Sequence, residues 1–481
     1  MSINIWIFQR FYVKIKSVMI MKLKGCGERI SDIIDMPLPC GGNGKCGKCK
    51  IRIHGDISPI GADERKLLSE REIESGIRLA CRCRVLGEAD ADSVPHAELH
   101  GITSGFLPEN SVINPITGNK KCVAAAFDIG TTTVAYYIYS LPEGVLAESG
   151  CFENAQRKFG ADVISRISYA EAFGKEKLTE AIVSQINSIK EKFKPEFSVV
   201  TGNTVMLHFY TGLDPSGIAR FPFTPQSLFG SRFGGDYIPR CISPFIGADA
   251  YCAVIASEMT KTDEPSLLLD LGTNAEIALW DGKRLLCTSA AAGPCFEGYG
   301  LSRGMSAADG AISKAFVANG RICYETIGQK PPVGFCGSGI TDAIAALLDL
   351  GEITENGLSK NDIYIGNIPV TQDDIRQIQT AKAAVAAGIE ILCGKSEAKP
   401  KKLYVAGGFG SSLNPKSAAR IGLIPKELSE NCIQLGNAAA AGAQMMLLDK
   451  KLMKNPDFTA ETVELSGNRE FSESFIKHMG F

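Results

Sequence analysis

Past residue 120 the chain sets compact apolar runs against polar turns in an order that repeats. KCVAAAFDIG leads through a short polar turn into TTTVAYYIYS and the turn LPEG, the pattern of two strands joined by a tight hairpin. The same order returns in SLLLDLGTNAEIALWDGKRLLCTSAA, where Asp270 takes the place of Asp128 at a distance of 142 residues. That period is too long for a solenoid and predicts two related α/β halves. Helical periodicity marks residues 161–173 and 176–193, and SVVTGNTVMLHFYTG reads as a strand, a Gly-Asn turn and a helix. KKLYVAGGFGSS gives a strand running into a glycine turn, and NCIQLGNAAAAGAQMMLLDK carries a small-residue helix near the end.

Before residue 120 the texture differs. CKIRIHG and RLACRCRVLG alternate as strands, and ISDIIDM reads as a short helix or the start of a strand. Residues 89–120 mix Pro, Gly, Ser and Asn with little periodicity, as a linker does. At 481 residues the chain exceeds what one core serves. The pattern therefore predicts an α/β multidomain protein: a domain over 1–95, a linker over 96–120, and a two-lobed domain over 121–481. The lobes are expected at about 121–262, joined by the C-terminal helix, and about 263–430.

A formal net charge of −2 leaves no basic field for nucleic acid or an anionic membrane. The 16 cysteines are scattered instead of packed into a secreted framework, so most are expected reduced and buried. MSINIWIFQRFYVKIK is interrupted by Arg10, Lys14 and Lys16, and reads as a strand or as sequence ahead of a start at Met19 or Met21. With no apolar run long enough for a bilayer, the expectation is a cytoplasmic protein with neither membrane nor nucleic-acid partners. His54, His96, His100, His208 and His478 show no metal-ligand spacing, and His208 reads as a packed helix residue.

Cys40, Cys46 and Cys49 lie in CGGNGKCGKC, and Cys81 follows in RLACRC. Thiolates are soft iron ligands, and glycines at 41, 42, 44 and 47 let the backbone curl so that N–H groups point at sulfur. Zinc sites of four cysteines usually show two CxxC knuckles, and here there is one. The segment resembles the 2Fe-2S ferredoxin domain, which implies a β-grasp fold with Cys40, Cys46, Cys49 and Cys81 as cluster ligands. Cys81 and Cys83 lie two apart on a strand and so face the same side; the R-L-A-C context favours Cys81, with Cys83 in reserve.

Asp128, Gly130, Thr131, Thr132 and Thr133 form one candidate phosphate hairpin, and Asp270, Gly272, Thr273 and Asn274 a second. Glycine lets phosphate approach the backbone, hydroxyls and N–H groups donate, and a carboxylate can hold Mg2+ through water. Gly407, Gly408 and Phe409 complete an ordered trio. The order resembles the superfamily of sugar and acetate kinases, the heat-shock chaperone ATPase and actin, with its two-lobed, ribonuclease H-like fold. The resemblance implies that Asp128 with Thr131 and Asp270 with Thr273 grip phosphates and metal from opposite lobes, with Gly407 and Gly408 against adenosine. Asp249, in SPFIGADA, stands where the superfamily orients attacking water, or else is a helix cap. Gly293, Pro294 and Glu297, with Gly337, Ser338 and Gly339, line the cleft or serve tight packing. Cys295 and Cys336 read as buried small hydrophobes.

Longer strings resemble a narrower family, the reductive activators of corrinoid-dependent proteins. They are ENAQRKFGADVISRI (153–167), TGNTVMLHF (201–209), SPFIGADA (243–250), LLLDLGTNAEIAL (267–279), SAAAGPCFEG (289–298), GFCGSGITDAIAALLDLG (334–351) and YVAGGFGSSLN (404–414). The resemblance implies ATP-dependent electron transfer from a 2Fe-2S cluster to the cob(II) centre of a partner corrinoid protein, regenerating cob(I). ATP, Mg2+, an upstream electron donor and a methyltransferase system's corrinoid protein follow as cofactors and partners, with a homodimer left open. Two rival readings are a small-molecule kinase with a redox-sensing cluster and a non-catalytic ATP-gated binding module. Longer members of the family carry additional domains, whereas here 47 positions separate Cys81 from Asp128.

Overall fold

The computed structural model describes residues 20–34, 36, 38, 42, 44, 47, 49–92, 107, 111–454 and 458–481. Cys40, Cys46 and the segment before residue 20 lie outside them. The chain forms two compact units, one of Met1–His96 with Lys158–Ala161 and one of Ala97–Arg157 with Asp162–Phe481.

In the N-terminal unit, strands Ile20–Lys24, Arg84–Asp92, Lys50–Ile57 and Ile77–Leu79 lie side by side in that order, and all described pairs are antiparallel. Alternation along Lys50–Ile57 sends Ile51 and Ile53 inward, where they meet Ile30, Leu79, Val85 and Ala91. ISDIIDM begins as the short helix Ile30–Ile33. RLACRCRVLG is not the unbroken strand its alternation suggested. The N–H groups of Arg82 and Cys83 both donate to the Leu79 carbonyl at 2.8 Å, and this turn carries Cys81 between two strands. The arriving strand is anchored by a buried forked ion pair: Arg78 donates to the two Glu64 oxygens at 2.9 and 2.6 Å, and Glu64 also accepts the Leu79 N–H at 3.0 Å.

The irregular stretch also begins later than residue 89, because the last strand runs to Asp92. Its far end is fastened to the second unit. The Asn114 N–H donates to the Leu448 carbonyl at 2.7 Å, and the Lys450 N–H donates to the Asn114 carbonyl at 3.0 Å.

The second unit realises the sequence repeat as two sheets of one design. In the first lobe, Cys122–Ile129, Thr133–Leu141 and Val145–Glu153 form an antiparallel meander, and Phe197–Gly202 then adds parallel to the first of them. In the second lobe, Ser266–Leu271, Ala275–Trp280 and Leu285–Ala290 repeat the meander, and Lys402–Ala406 adds parallel in the same place. Asp128 and Asp270 thus occupy equivalent positions at the ends of equivalent first strands. The expected helices appear at Val163–Phe173 and Glu176–Phe193. Ala248–Ser257 and the small-residue helix Ala438–Leu448 pack in one core between the sheets. Gly442 sits at their crossing, where any β-carbon would collide with the Cys252 carbonyl. Among the described residues no helix is long and apolar enough to cross a membrane.

Candidate functional site

Each hairpin is closed by its own backbone. The Gly130 N–H donates to the Thr133 carbonyl, and the Gly272 N–H to the Asn274 carbonyl, both at 3.0 Å. A β-carbon at Gly130 would lie 2.7 Å from the Thr133 oxygen, so a residue with a side chain would open the turn. The first hairpin is braced from behind by fully buried Asn154 and Arg166. Asn154 donates to the Thr132 carbonyl from its backbone at 2.9 Å and to the Gly130 carbonyl from its side chain at 2.8 Å, and Arg166 donates to the Thr131 carbonyl at 2.5 Å. Burial lowers the Arg166 guanidinium to about 9. Asn203 caps the helix Thr204–Thr211 and donates to the Thr131 hydroxyl at 3.4 Å.

The second hairpin is tied to its surroundings by Glu297, which accepts the Thr273 hydroxyl at 2.7 Å, and by the Gly293 N–H, which donates to the Thr273 carbonyl at 2.9 Å. Gly407 turns with φ of 85° directly behind Asp270, where a β-carbon would stand 2.5 Å from the carboxylate oxygen. Gly408 beside it is exposed backbone with open space around its α-carbon. Phe409 is buried and stacks on Phe296 with ring centroids 4.8 Å apart.

Acidic side chains from both lobes converge here. Burial pushes Asp128 up to about 7 against a helpful hydrogen bond from Asn437, and the charge of Asp249 pushes the same way. Burial also raises Asp270 to about 7, aided by Asp249, Asp128 and Glu297. Asp249 itself is raised to about 6 by burial. It lies in the first turn of its helix, whose N-cap is Gly247, so it is not the cap. Glu276, directly across the strand pair from Asp270, is raised by burial and by the charges of Asp249 and Asp270. Like charges set opposite one another destabilise a sheet unless a cation or a proton intervenes. Such an arrangement suits a cation-bearing anionic ligand, and among the described residues no three acidic, His or Cys side chains are close enough to grip a metal directly.

The sequence reading did not single out Asn437. Its side-chain oxygen accepts the Ala440 N–H and caps the small-residue helix, while its amide donates to Asp128, both at 2.9 Å. The signal was an Asn immediately before an alanine run, and only the fold shows what its other end touches. Glu276 was passed over too, although a lone carboxylate in the apolar strand Ala275–Trp280 is a visible anomaly.

Gly337, Ser338 and Gly339 open the helix Gly337–Asp349 and are all buried. A β-carbon would collide with the Phe296 carbonyl at 337 and with the Ile312 carbonyl at 339, and the Ser338 hydroxyl donates to the Ser313 carbonyl at 3.0 Å. These contacts explain the two glycines by packing. His208 is a packed helix residue, fully buried with Nδ1 2.6 Å from the Thr204 carbonyl oxygen. Cys295 and Cys336 are buried as small hydrophobes.

In the N-terminal unit the thiols of Cys49 and Cys81 lie 3.3 Å apart, both buried. This is too long for a disulfide and short enough for two sulfurs to share one tetrahedral metal. Gly42 and Gly44 curl with φ of 76° and 66°, and the loop passes close to Cys81, whose β-carbon would lie 3.9 Å from one added at Gly42. The donor set and the curled loop fit an iron-sulfur cluster. Cys83 lies past the turn: its thiol reaches toward the Arg84 carbonyl at 4.0 Å and feels the charges of the Arg78–Glu64 pair. The turn at Cys81 removes the alternation that placed the two thiols together.

Residues 28–86 match the 2Fe-2S iron-sulfur cluster binding domain, residues 123–262 the RACo middle region, and residues 264–481 the C-terminal domain of RACo, the ASKHA domain. Fold and site thus define an iron-sulfur domain joined to an actin-like ATP-binding domain. The corrinoid activation enzyme RamQ of Eubacterium limosum is 32% identical over 452 residues, covering 80% of this chain and 74% of that one. The [Co(II) methylated amine-specific corrinoid protein] reductase of Methanosarcina barkeri is 26% identical over 380 residues, covering 67% of this chain and 70% of its own. A solved reductive activator for corrinoid, iron-sulfur protein superposes with a TM-score of 0.65 at 25% identity, covering 94% of this chain and 95% of that one. The chain belongs to the family of reductive activators of corrinoid proteins.

Proposed function

We propose that this protein is an ATP-dependent reductive activator that passes one electron to the cob(II) centre of a partner corrinoid protein and so regenerates cob(I). The observation that carries the reading is the joining, in one chain, of the Cys49–Cys81 thiol pair to a two-lobed cleft lined by Asp128, Asp249 and Asp270. Cys40, Cys46, Cys49 and Cys81 hold the 2Fe-2S cluster, and Cys83 remains a packed thiol. When bound, the cluster supplies one electron at a time, and a one-electron donor upstream refills it.

Reduction of cob(II) is uphill from an ordinary 2Fe-2S donor, and each 100 mV of gap is worth about 2.3 kcal/mol per electron. Nucleotide offsets that gap if its bound states differ in affinity for the two redox states of the partner complex. The two hairpins provide the means. Gly130 to Thr133 and Gly272 to Asn274 receive the phosphates from opposite lobes, and Gly407 with Gly408 lies against adenosine. Asp128 and Asp270 would hold Mg2+, whose charge would relieve the carboxylate repulsion. Asp249, whose charge acts on both, orients the water that cleaves ATP and reopens the lobes.

Product analysis tests this reading against a kinase. The γ-phosphate should appear as inorganic phosphate, at a rate raised by a corrinoid protein in the cob(II) state. Transfer of that phosphate to a metabolite, with no response to the corrinoid protein, would overturn it.

A further inference from the structure

Residues 153–167 do more than brace the first hairpin. Arg157, one turn past Asn154, keeps 13% of its side chain exposed, pairs with Glu153, and donates to the Tyr299 hydroxyl of the other lobe at 3.3 Å. Burial raises the carboxyl of Glu297, the residue that fixes Thr273 in the second hairpin, and the Thr273 hydroxyl and then the charge of Arg157 oppose that rise. One guanidinium therefore stands between the segment that pins hairpin one and the wall that pins hairpin two. Asp128, Asp249, Asp270, Glu276 and Glu297 act on one another through their charges, and a nucleoside triphosphate brings in further negative charge. An arginine fork matches phosphate geometry and remains charged at any working pH.

We propose that Arg157 binds the terminal phosphate of the nucleotide, exchanging Glu153 for it, and thereby distinguishes triphosphate from diphosphate. The proposal rests on the reading that ATP occupies this cleft. Because Arg157 already touches both lobes, its shift onto phosphate would tie the presence of that phosphate to their closure.

Calorimetric titration of the full chain with Mg2+ and either ADP or a non-hydrolysable ATP analogue tests it. For Arg157→Met, affinity for the triphosphate should fall by about tenfold or more, as expected for a lost charged hydrogen bond, with ADP changing less than about threefold. Arg157→Lys should recover part of the loss, since it keeps charge without the fork. Glu153→Gln should leave triphosphate affinity equal or tighter, because it removes the competing anion. A merely structural latch predicts instead that Glu153→Gln behaves like Arg157→Met and that both nucleotides weaken together; that result, or no change in either, overturns the proposal. Should Arg157→Met fail to fold, Arg157→Lys and Glu153→Gln decide by the same criteria. If the unaltered chain binds neither nucleotide, the cleft reading fails and the proposal falls with it.

Discussion

Replacing Asp270 by Asn should stabilise the nucleotide-free protein while abolishing its nucleotide response. Asp270 is raised from its ordinary 3.8 to about 7, chiefly by burial and then by the charges of Asp249, Asp128 and Glu297. A carboxyl raised in the folded state binds more protons folded than unfolded between pH 4 and 7. Stability therefore falls as pH climbs through that window and is flat above it. Three units at about 1.4 kcal/mol each would give about 4 kcal/mol, and half of that is a fair expectation for a half-buried group sharing its field with four other acids. Asn keeps the shape without the charge, so at pH 8 the variant should unfold about 2–5 °C higher than the unaltered chain. At pH 5, about a third of the way through that window, the gap should shrink to about a third of its value at pH 8. Thermal unfolding at the two pH values, with and without Mg2+ and a non-hydrolysable ATP analogue, measures both halves. The nucleotide should raise the midpoint of the unaltered chain and leave the variant unmoved. A variant less stable at pH 8, or a gap that ignores pH, would refute the claim that these carboxylates crowd a site built for a cation-bearing anion.

Three further outcomes follow from the geometry. Cys81→Ser should abolish the visible absorbance and the paramagnetic signal of a reduced 2Fe-2S cluster, whereas Cys83→Ser should retain both, because Cys81 stands 3.3 Å from the Cys49 sulfur while the Cys83 thiol faces the Arg84 carbonyl. Asn437→Ala should cost about 1–2 kcal/mol in denaturant titration through the lost helix cap, and Asn437→Asp should keep the cap oxygen yet weaken nucleotide binding by setting a second carboxylate against Asp128. Gly442→Ala should destabilise the C-terminal unit by about 3 kcal/mol, since backbone and not a flexible side chain blocks the added methyl. A shift under 1 kcal/mol in that variant would mean the two central helices are not held at this spacing.

Much of the fold was legible because its signals are local. The recurrence of an apolar strand, Asp-x-Gly-Thr and a second strand announced two sheets that share one strand order. The helices begin and end within two residues of where periodicity put them. What escaped depended on contacts distant in sequence or on a turn without glycine or proline. The break at Ala80–Cys83 is set by two N–H groups sharing the Leu79 carbonyl, and alternation alone cannot register it. Asn437 meets Asp128 across 309 positions of sequence, and Glu276 matters through its register with Asp270. Gly337 and Gly339 show the opposite case: a glycine-rich string that looks like a ligand loop is accounted for by close backbone packing.

The central claim is that nucleotide drives an electron uphill onto cobalt. Its most direct measurement is the anaerobic absorbance of a cob(II) corrinoid partner mixed with this protein and a one-electron reductant, with and without ATP. The account predicts that the cob(I) spectrum grows in with ATP, and is absent without it and in the Asp270→Asn variant. Cob(I) forming at the same rate and extent without ATP, or never forming while ATP is hydrolysed, would contradict it.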